Sequence, residues 1–193
     1  MSTLPPLSNI HAHSPGALAQ ALTVLFEASP TLTSHLVPHL AASDDAPPSY
    51  AHLVDLALAA ITQWDDALQA EFVAGHPRIG DVSGLSKLSA NEQAAAATLP
   101  AVLARLQHLN ACYERRFPGL RYITFVNGRS RSAIMEEMED KLGFARSLSA
   151  ADPPIESVEI VDVGGKAWKA ELDRAVQDVG RIAKSRLKTL GVE

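Results

Sequence analysis

Three side chains in this sequence could together do acid–base chemistry on a small anion: an imidazole, a carboxylate and an inward-facing guanidinium. His76 stands in Phe72-Val73-Ala74-Gly75-His76-Pro77-Arg78-Ile79-Gly80, where Gly75 reads as the C′ residue of a helix and Pro77 stiffens the backbone. A place just beyond a helix C-terminus favours the imidazolium, so a protonated His76 at neutral pH is expected. Glu92 belongs to Ser89-Ala90-Asn91-Glu92-Gln93, a Ser-x-x-Glu capping box that predicts Ser89 as a helix N-cap. Arg186 falls on the apolar stripe Trp168, Leu172, Val176, Val179 and Ile182 of the last predicted helix and therefore points inward. A buried guanidinium needs a partner, and either a core carboxylate or an anionic ligand would serve.

Taken singly, these residues have ordinary structural meanings. A histidine at a helix end caps carbonyls, and the N3 position of a capping box accounts fully for a glutamate. Asn127-Gly128-Arg129-Ser130 reads as a turn whose backbone N–H groups could also hold an anion. The other six histidines show no HExxH or Cys/His spacing, so no metal site is expected, and Cys112 is assigned to the core. Glycine-rich nucleotide loops and the Gly-x-Ser-x-Gly hydrolase motif are absent.

The elements that must position these groups are helical. Ser14-Pro15 opens a helix on Leu18, Leu22, Leu25 and Phe26, and Ser29-Pro30 opens another on Leu32, Leu36 and Leu40 with Pro38 as a kink or end. Further helices are predicted over about 50–64 and 65–74, and a long one from Ser89 to about Arg116, bent at Pro100 with Leu99 on its inner side. Arg121 to Val126 is β-branched and aromatic, but one such run cannot make a sheet and is read as a buried extended connector. A helix on Ile134, Met135, Met138 and Leu142 stops at Gly143. Residues 144–166 break the pattern and predict a surface loop insertion with a short strand over 158–163, before the last helix at about 167–190. On that helix Arg174, Asp178, Arg181, Ser185 and Lys188 share the face predicted to be solvated.

The 193 residues suit one domain. Seventeen basic and 22 acidic residues, for a net charge of −5, lie mixed along the chain and give no basic stripe for nucleic acid or an anionic membrane. No apolar run has the length of a membrane span, the first ten residues lack a signal-peptide layout, and the single cysteine suits a reducing compartment. A cytoplasmic protein acting on a small solute is expected; the last three residues, Gly191-Val192-Glu193, do not form a peroxisomal signal, although that compartment stays open.

Four stretches in order carry a resemblance: Gly75-His76-Pro77-Arg78-Ile79-Gly80; Leu88 to Gln93; Leu109-Asn110-x-x-Tyr113-Glu114-x-Arg116-Phe117; and Val179-Gly180-Arg181-Ile182-x-x-x-Arg186-Leu187. Together they resemble the OHCU decarboxylases, which convert 2-oxo-4-hydroxy-4-carboxy-5-ureidoimidazoline (OHCU) to (S)-allantoin in urate breakdown. The resemblance spans nearly the whole chain. It implies an all-α, single-domain bundle over 1–193 that needs neither cofactor nor metal and forms a homodimer. It implies His76 as the catalytic acid with Glu92 beside it. Substrate contacts are implied for Pro77, Ser89, Gln93, the stretch Tyr122, Ile123, Thr124, Phe125 and Val126, and Arg186. Arg78-Ile79-Gly80 departs from the commoner Asp-Leu-Ala of that family, and the resemblance assigns no role to the 144–166 insertion. A non-catalytic binding module of the same fold, or a decarboxylase or lyase of a related ureido acid, are the alternatives.

Overall fold

The computed structural model describes residues 3–11, 15–43, 47–81, 86–93 and 98–192, with the side chains of His11, Pro15, Glu92 and Gln93 outside that description. The fold is an all-α bundle, and no β-strand forms among the described residues. The helices are α1 (Leu7–His11), α2 (Pro15–Phe26), α3 (Val37–Ala41), α4 (Tyr50–Ile61), α5 (Asp66–Ala74), α6 (Lys87–Gln93), α7 (Pro100–Arg116), α8 (Arg131–Leu142) and α9 (Lys166–Leu190). No described helix is long and apolar enough to cross a membrane.

Local chemistry sets most of the boundaries. Ser49, Asp65 and Ser130 each accept a hydrogen bond from the backbone N–H three residues on, capping α4, α5 and α8. Gly143 and Gly191 close α8 and α9 at φ 74° and 68°, where a side chain would be strained. Pro38 does not end its helix, which runs on to Ala41. A π-helical turn, Leu32–Leu36, precedes it, and Val37 N–H bonds the Leu32 carbonyl five residues back; the wider turn makes room for a ring that would otherwise meet the carbonyl at position 34.

The expected long helix from Ser89 to Arg116 is instead two. Leu99 is extended at ψ 138°, the conformation imposed on a residue before proline, so Pro100 starts α7 rather than bending it. Leu99, expected inward, is exposed.

α9 lies against α2, α4 and α5, and α7 pairs with α8. Trp168, Leu172, Val176, Val179, Ala183 and Leu187 bury one face of α9 at three- and four-residue steps. At Gly180 an added Cβ would fall 2.6 Å from Leu58 Cδ1, so α4 approaches as only glycine allows. The connector after α7 has no regular secondary structure and is buried as read, with Leu120, Tyr122, Ile123 and Thr124 inside.

The predicted solvated face of α9 is corrected in part: Arg181 and Lys188 are exposed as read, but the part at Arg174 and Asp178 is covered. Asp178 is buried, and Arg174 bridges Glu171 and Asp178 at 2.7 and 2.9 Å while donating to the Ile123 carbonyl at 2.7 Å. The connector covers this face, and its carbonyl groups need donors there.

The strand expected at 158–163 does not form. Val158 is buried after a 3₁₀ turn, Ile155–Ser157, and Val161 N–H bonds the Arg116 carbonyl, a single anchor with no neighbouring strand to extend it.

Candidate active site

His76 sits two residues beyond α5, and its backbone is fixed from three sides. Asn110 of α7 donates to the Ile79 carbonyl at 3.0 Å, Arg78 forms a two-pronged pair with Glu114 of α7 at 2.6 and 2.9 Å, and Arg121 donates to the His76 carbonyl. Two of the sequence stretches singled out above are thus locked together, and Arg78, the departure from the commoner pattern, is one of the ties. Gly75 is not left-handed as a C′ glycine would be; its φ is −66°. It is glycine because a Cβ there would lie 2.7 Å from the Ser29 Cβ. Gly80, at φ 88°, passes close over Leu106.

The imidazole of His76 is 3% exposed and meets the Phe72 ring edge-on at 5.7 Å. Neither ring nitrogen has a hydrogen-bond partner among the described residues. Burial first, and the charge of Arg186 second, push its pKa down to about 4, against a weaker upward pull from Glu27 and the nearby Phe72 and Val73 carbonyls, which form no hydrogen bond to it. The expected imidazolium is disfavoured: among the described residues, removal from water outweighs the helix-end dipole and favours a neutral His76.

Arg186 is 2% exposed, inward as its stripe predicted. One of the two partners left open is present, a carboxylate: Arg186 Nη2 donates to Glu27 Oε1 at 2.6 Å and to Ser89 Oγ at 2.9 Å. Nη1 reaches the Val24 and Leu25 carbonyls, at the negative end of α2. Glu27 itself follows Phe26 at the end of α2 with φ 65°. Burial raises its pKa, but Arg186, Ser89 and Ser86 outweigh this and hold it below the ordinary carboxylate range.

Ser89 is not an N-cap. Ser86 fills that role, its hydroxyl accepting from Ser89 N–H at 3.1 Å and its carbonyl from Ala90 N–H at 2.8 Å. The helix begins one turn earlier because Ser86 offers the same cap, and Ser89, now in the first turn, turns its hydroxyl to Glu27 at 2.6 Å. The backbone of Glu92 and Gln93 lies in α6; their side-chain positions lie outside the described residues.

A cavity of about 210 Å³ brings these groups together. Of the residues singled out in the sequence, His76, Pro77, Ser89, Tyr122, Ile123, Thr124, Phe125, Val126 and Arg186 all line it. Ile79, Asn127, Gly128, Ile182 and Ser185 line it too. Of these, Asn127-Gly128 carried a signal as a turn able to hold an anion, whereas Ser185 was assigned to the solvated face. Glu27 was missed altogether. Its one local trace is an acidic residue ending an apolar helix, which identifies nothing.

Along the cavity wall, Arg129 donates to the Phe125 and Val126 carbonyls and to Thr124 Oγ1, and Glu137 accepts from Tyr122 at 2.6 Å and Thr124 at 3.2 Å. Carbonyls and side chains of the connector are thereby occupied. Its N–H groups from Tyr122 to Gly128 have no acceptor among the described residues. The arrangement can offer a small molecule a cation, a row of backbone donors and one neutral imidazole.

No curated protein matches the chain. Among protein families, OHCU decarboxylase matches residues 11–152, which takes in the His76, Ser89 and Tyr122–Val126 stretches and leaves Arg186 and the rest of α9 outside. The resemblance drawn from the sequence reached further along the chain than this match. With most of its length and three of its four motif stretches inside the matched span, the chain belongs to the OHCU decarboxylase family.

Proposed function

We propose that this protein decarboxylates OHCU to (S)-allantoin in urate catabolism, without a cofactor, as a single domain over 1–193 and a homodimer. The observation that carries the reading is the convergence of His76, Ser89, Arg186 and the Tyr122–Gly128 wall on one cavity. At about 210 Å³ it is smaller than pockets for drug-sized ligands, roughly 300–1,000 Å³, and suits a single small ring.

The substrate supplies its own electron sink. The bond from C4 to the carboxylate breaks, CO₂ leaves, and the electron pair forms a C4–C5 double bond as the C5=N pair moves to nitrogen, which takes up one proton from solvent. The enol then collapses: the C4 hydroxyl loses its proton and C5 gains one. Neutral His76 serves both halves, accepting the hydroxyl proton and returning a proton to C5 from one face, which fixes the stereochemistry. Glu92 orients the imidazole. Arg186 and the connector N–H groups hold the anionic oxygens, with Pro77, Ser89 and Gln93 as further contacts. The apolar surroundings of His76 favour departure of neutral CO₂ over retention of a carboxylate.

Freshly generated OHCU tests this. The protein should accelerate CO₂ release and give (S)-allantoin by circular dichroism; racemic product at the spontaneous rate would overturn the assignment.

A further inference from the structure

Glu27 is an expensive residue where it stands. A glycine would suit φ 65° better, and a non-glycine residue held there is strained. Its carboxylate accepts from Ser86 at 2.8 Å, Ser89 at 2.6 Å and Arg186 at 2.6 Å, all on one oxygen. The direction of every bond in this cluster is forced. An ionised carboxylate only accepts and a guanidinium only donates. Ser89 therefore gives its single proton to Glu27 and takes one from Arg186 on a lone pair. A hydroxyl has one proton and two lone pairs, so one lone pair is left. Ser89 also lines the cavity.

We infer that Glu27 is a positioning residue that fixes Ser89 as a hydrogen-bond acceptor toward the cavity, so that the site selects a ligand presenting a ureido or cyclic-amide N–H at Ser89. A serine in the same place without Glu27 would turn its proton into the cavity and accept a carbonyl equally well. With the proton committed, a carbonyl or a methylated nitrogen at that position meets a lone pair and is rejected.

The inference rests on the decarboxylase reading for the choice of probe only, because the test reads equilibrium binding and not turnover. Binding of (S)-allantoin and of each of its singly N-methylated analogues is measured by calorimetry for the whole chain. The wild type should bind at least one methylated analogue about tenfold or more weakly than allantoin. Ser89→Ala, which keeps the Glu27–Arg186 pair, should narrow that ratio to less than about threefold. Glu27→Leu, with folding checked by circular dichroism, should narrow it as well although Ser89 is still present. A wild type that tolerates methylation at every nitrogen, or a Ser89→Ala variant that keeps the full discrimination, overturns the inference. A protein that discriminates as described yet leaves OHCU untouched would overturn the decarboxylase reading and leave the polarity of Ser89 standing.

Discussion

Arg105–Glu139 and Arg186–Glu27 are two buried arginine–carboxylate pairs of almost equal reach, 2.8 and 2.6 Å, and they are surrounded differently. Arg105 and Glu139 are both fully buried, and every other contact they make is to the chain itself. Arg105 donates to the Ser149 and Asp152 carbonyls, and Glu139 accepts from Ser147 N–H at 3.1 Å. This pair pins the start of the 144–166 insertion to α7 and α8. Arg186 and Glu27 share their polar contacts with Ser89, and Arg186 and Ser89 line the cavity. A buried ion pair is thus no mark of function by depth or distance; access of its partners to an open volume separates the two.

The comparison is broken most severely at the structural pair. Glu139→Ala leaves the Arg105 charge buried and should cost roughly 3–5 kcal/mol by urea denaturation, while Arg105→Leu with Glu139→Leu should recover most of that loss. Arg186→Met should cost about 3 kcal/mol of stability for the same reason and in addition lower kcat/KM on OHCU by about 10²–10³-fold. Combining it with Glu27→Leu should restore stability and leave activity low. If stability and activity returned together, the two pairs would be alike after all.

His76 extends the contrast to pH. It is neutral in the folded chain down to about 4 but takes up a proton in the unfolded chain near 6.5, so between these values the unfolded state binds more protons. Stability should therefore be intact above pH 6.5 and fall as pH drops toward 4, by roughly 3 kcal/mol in total, a loss that His76→Phe should remove from the denaturation profile. Turnover should persist down to the same low value; an activity that declines as pH rises through 6.5 would mean that the imidazolium does the work.

Two smaller changes test how the His76 segment is held. Gly75→Ala drives a methyl group to within 2.7 Å of Ser29 and should cost about 1–3 kcal/mol in thermal unfolding. Arg78→Ala removes a pair whose side chains are 42% and 32% exposed, so solvent screening limits the loss to roughly 1 kcal/mol or less, read from the urea midpoint.

The sequence was most legible where a rule acts over one helical turn. Gly143 stopping α8 and Arg186 facing inward follow from positive φ and the 3.6-residue period. The burial of the connector followed from the composition of Arg121–Val126. The candidate site was legible as a set of motifs, and the cavity lining includes every candidate site residue whose side chain is described. Ser89 as a cap was misread by one turn, because Ser86 offers the same chemistry three residues earlier.

Quantities that depend on distant parts of the chain were not legible. Glu27 meets Arg186 across 159 residues, and no local pattern marks it. Arg174 and Asp178 read as a solvated face because the helix period says which residues share a side, not what covers that side. Local spacing determined which side chains are helical neighbours, which termini are capped and which arginine turns inward. Only the packed chain decided that His76 is neutral and that the partner of Arg186 is Glu27, because desolvation and charge pairing are set by everything within a few ångströms in space, whatever its distance in sequence.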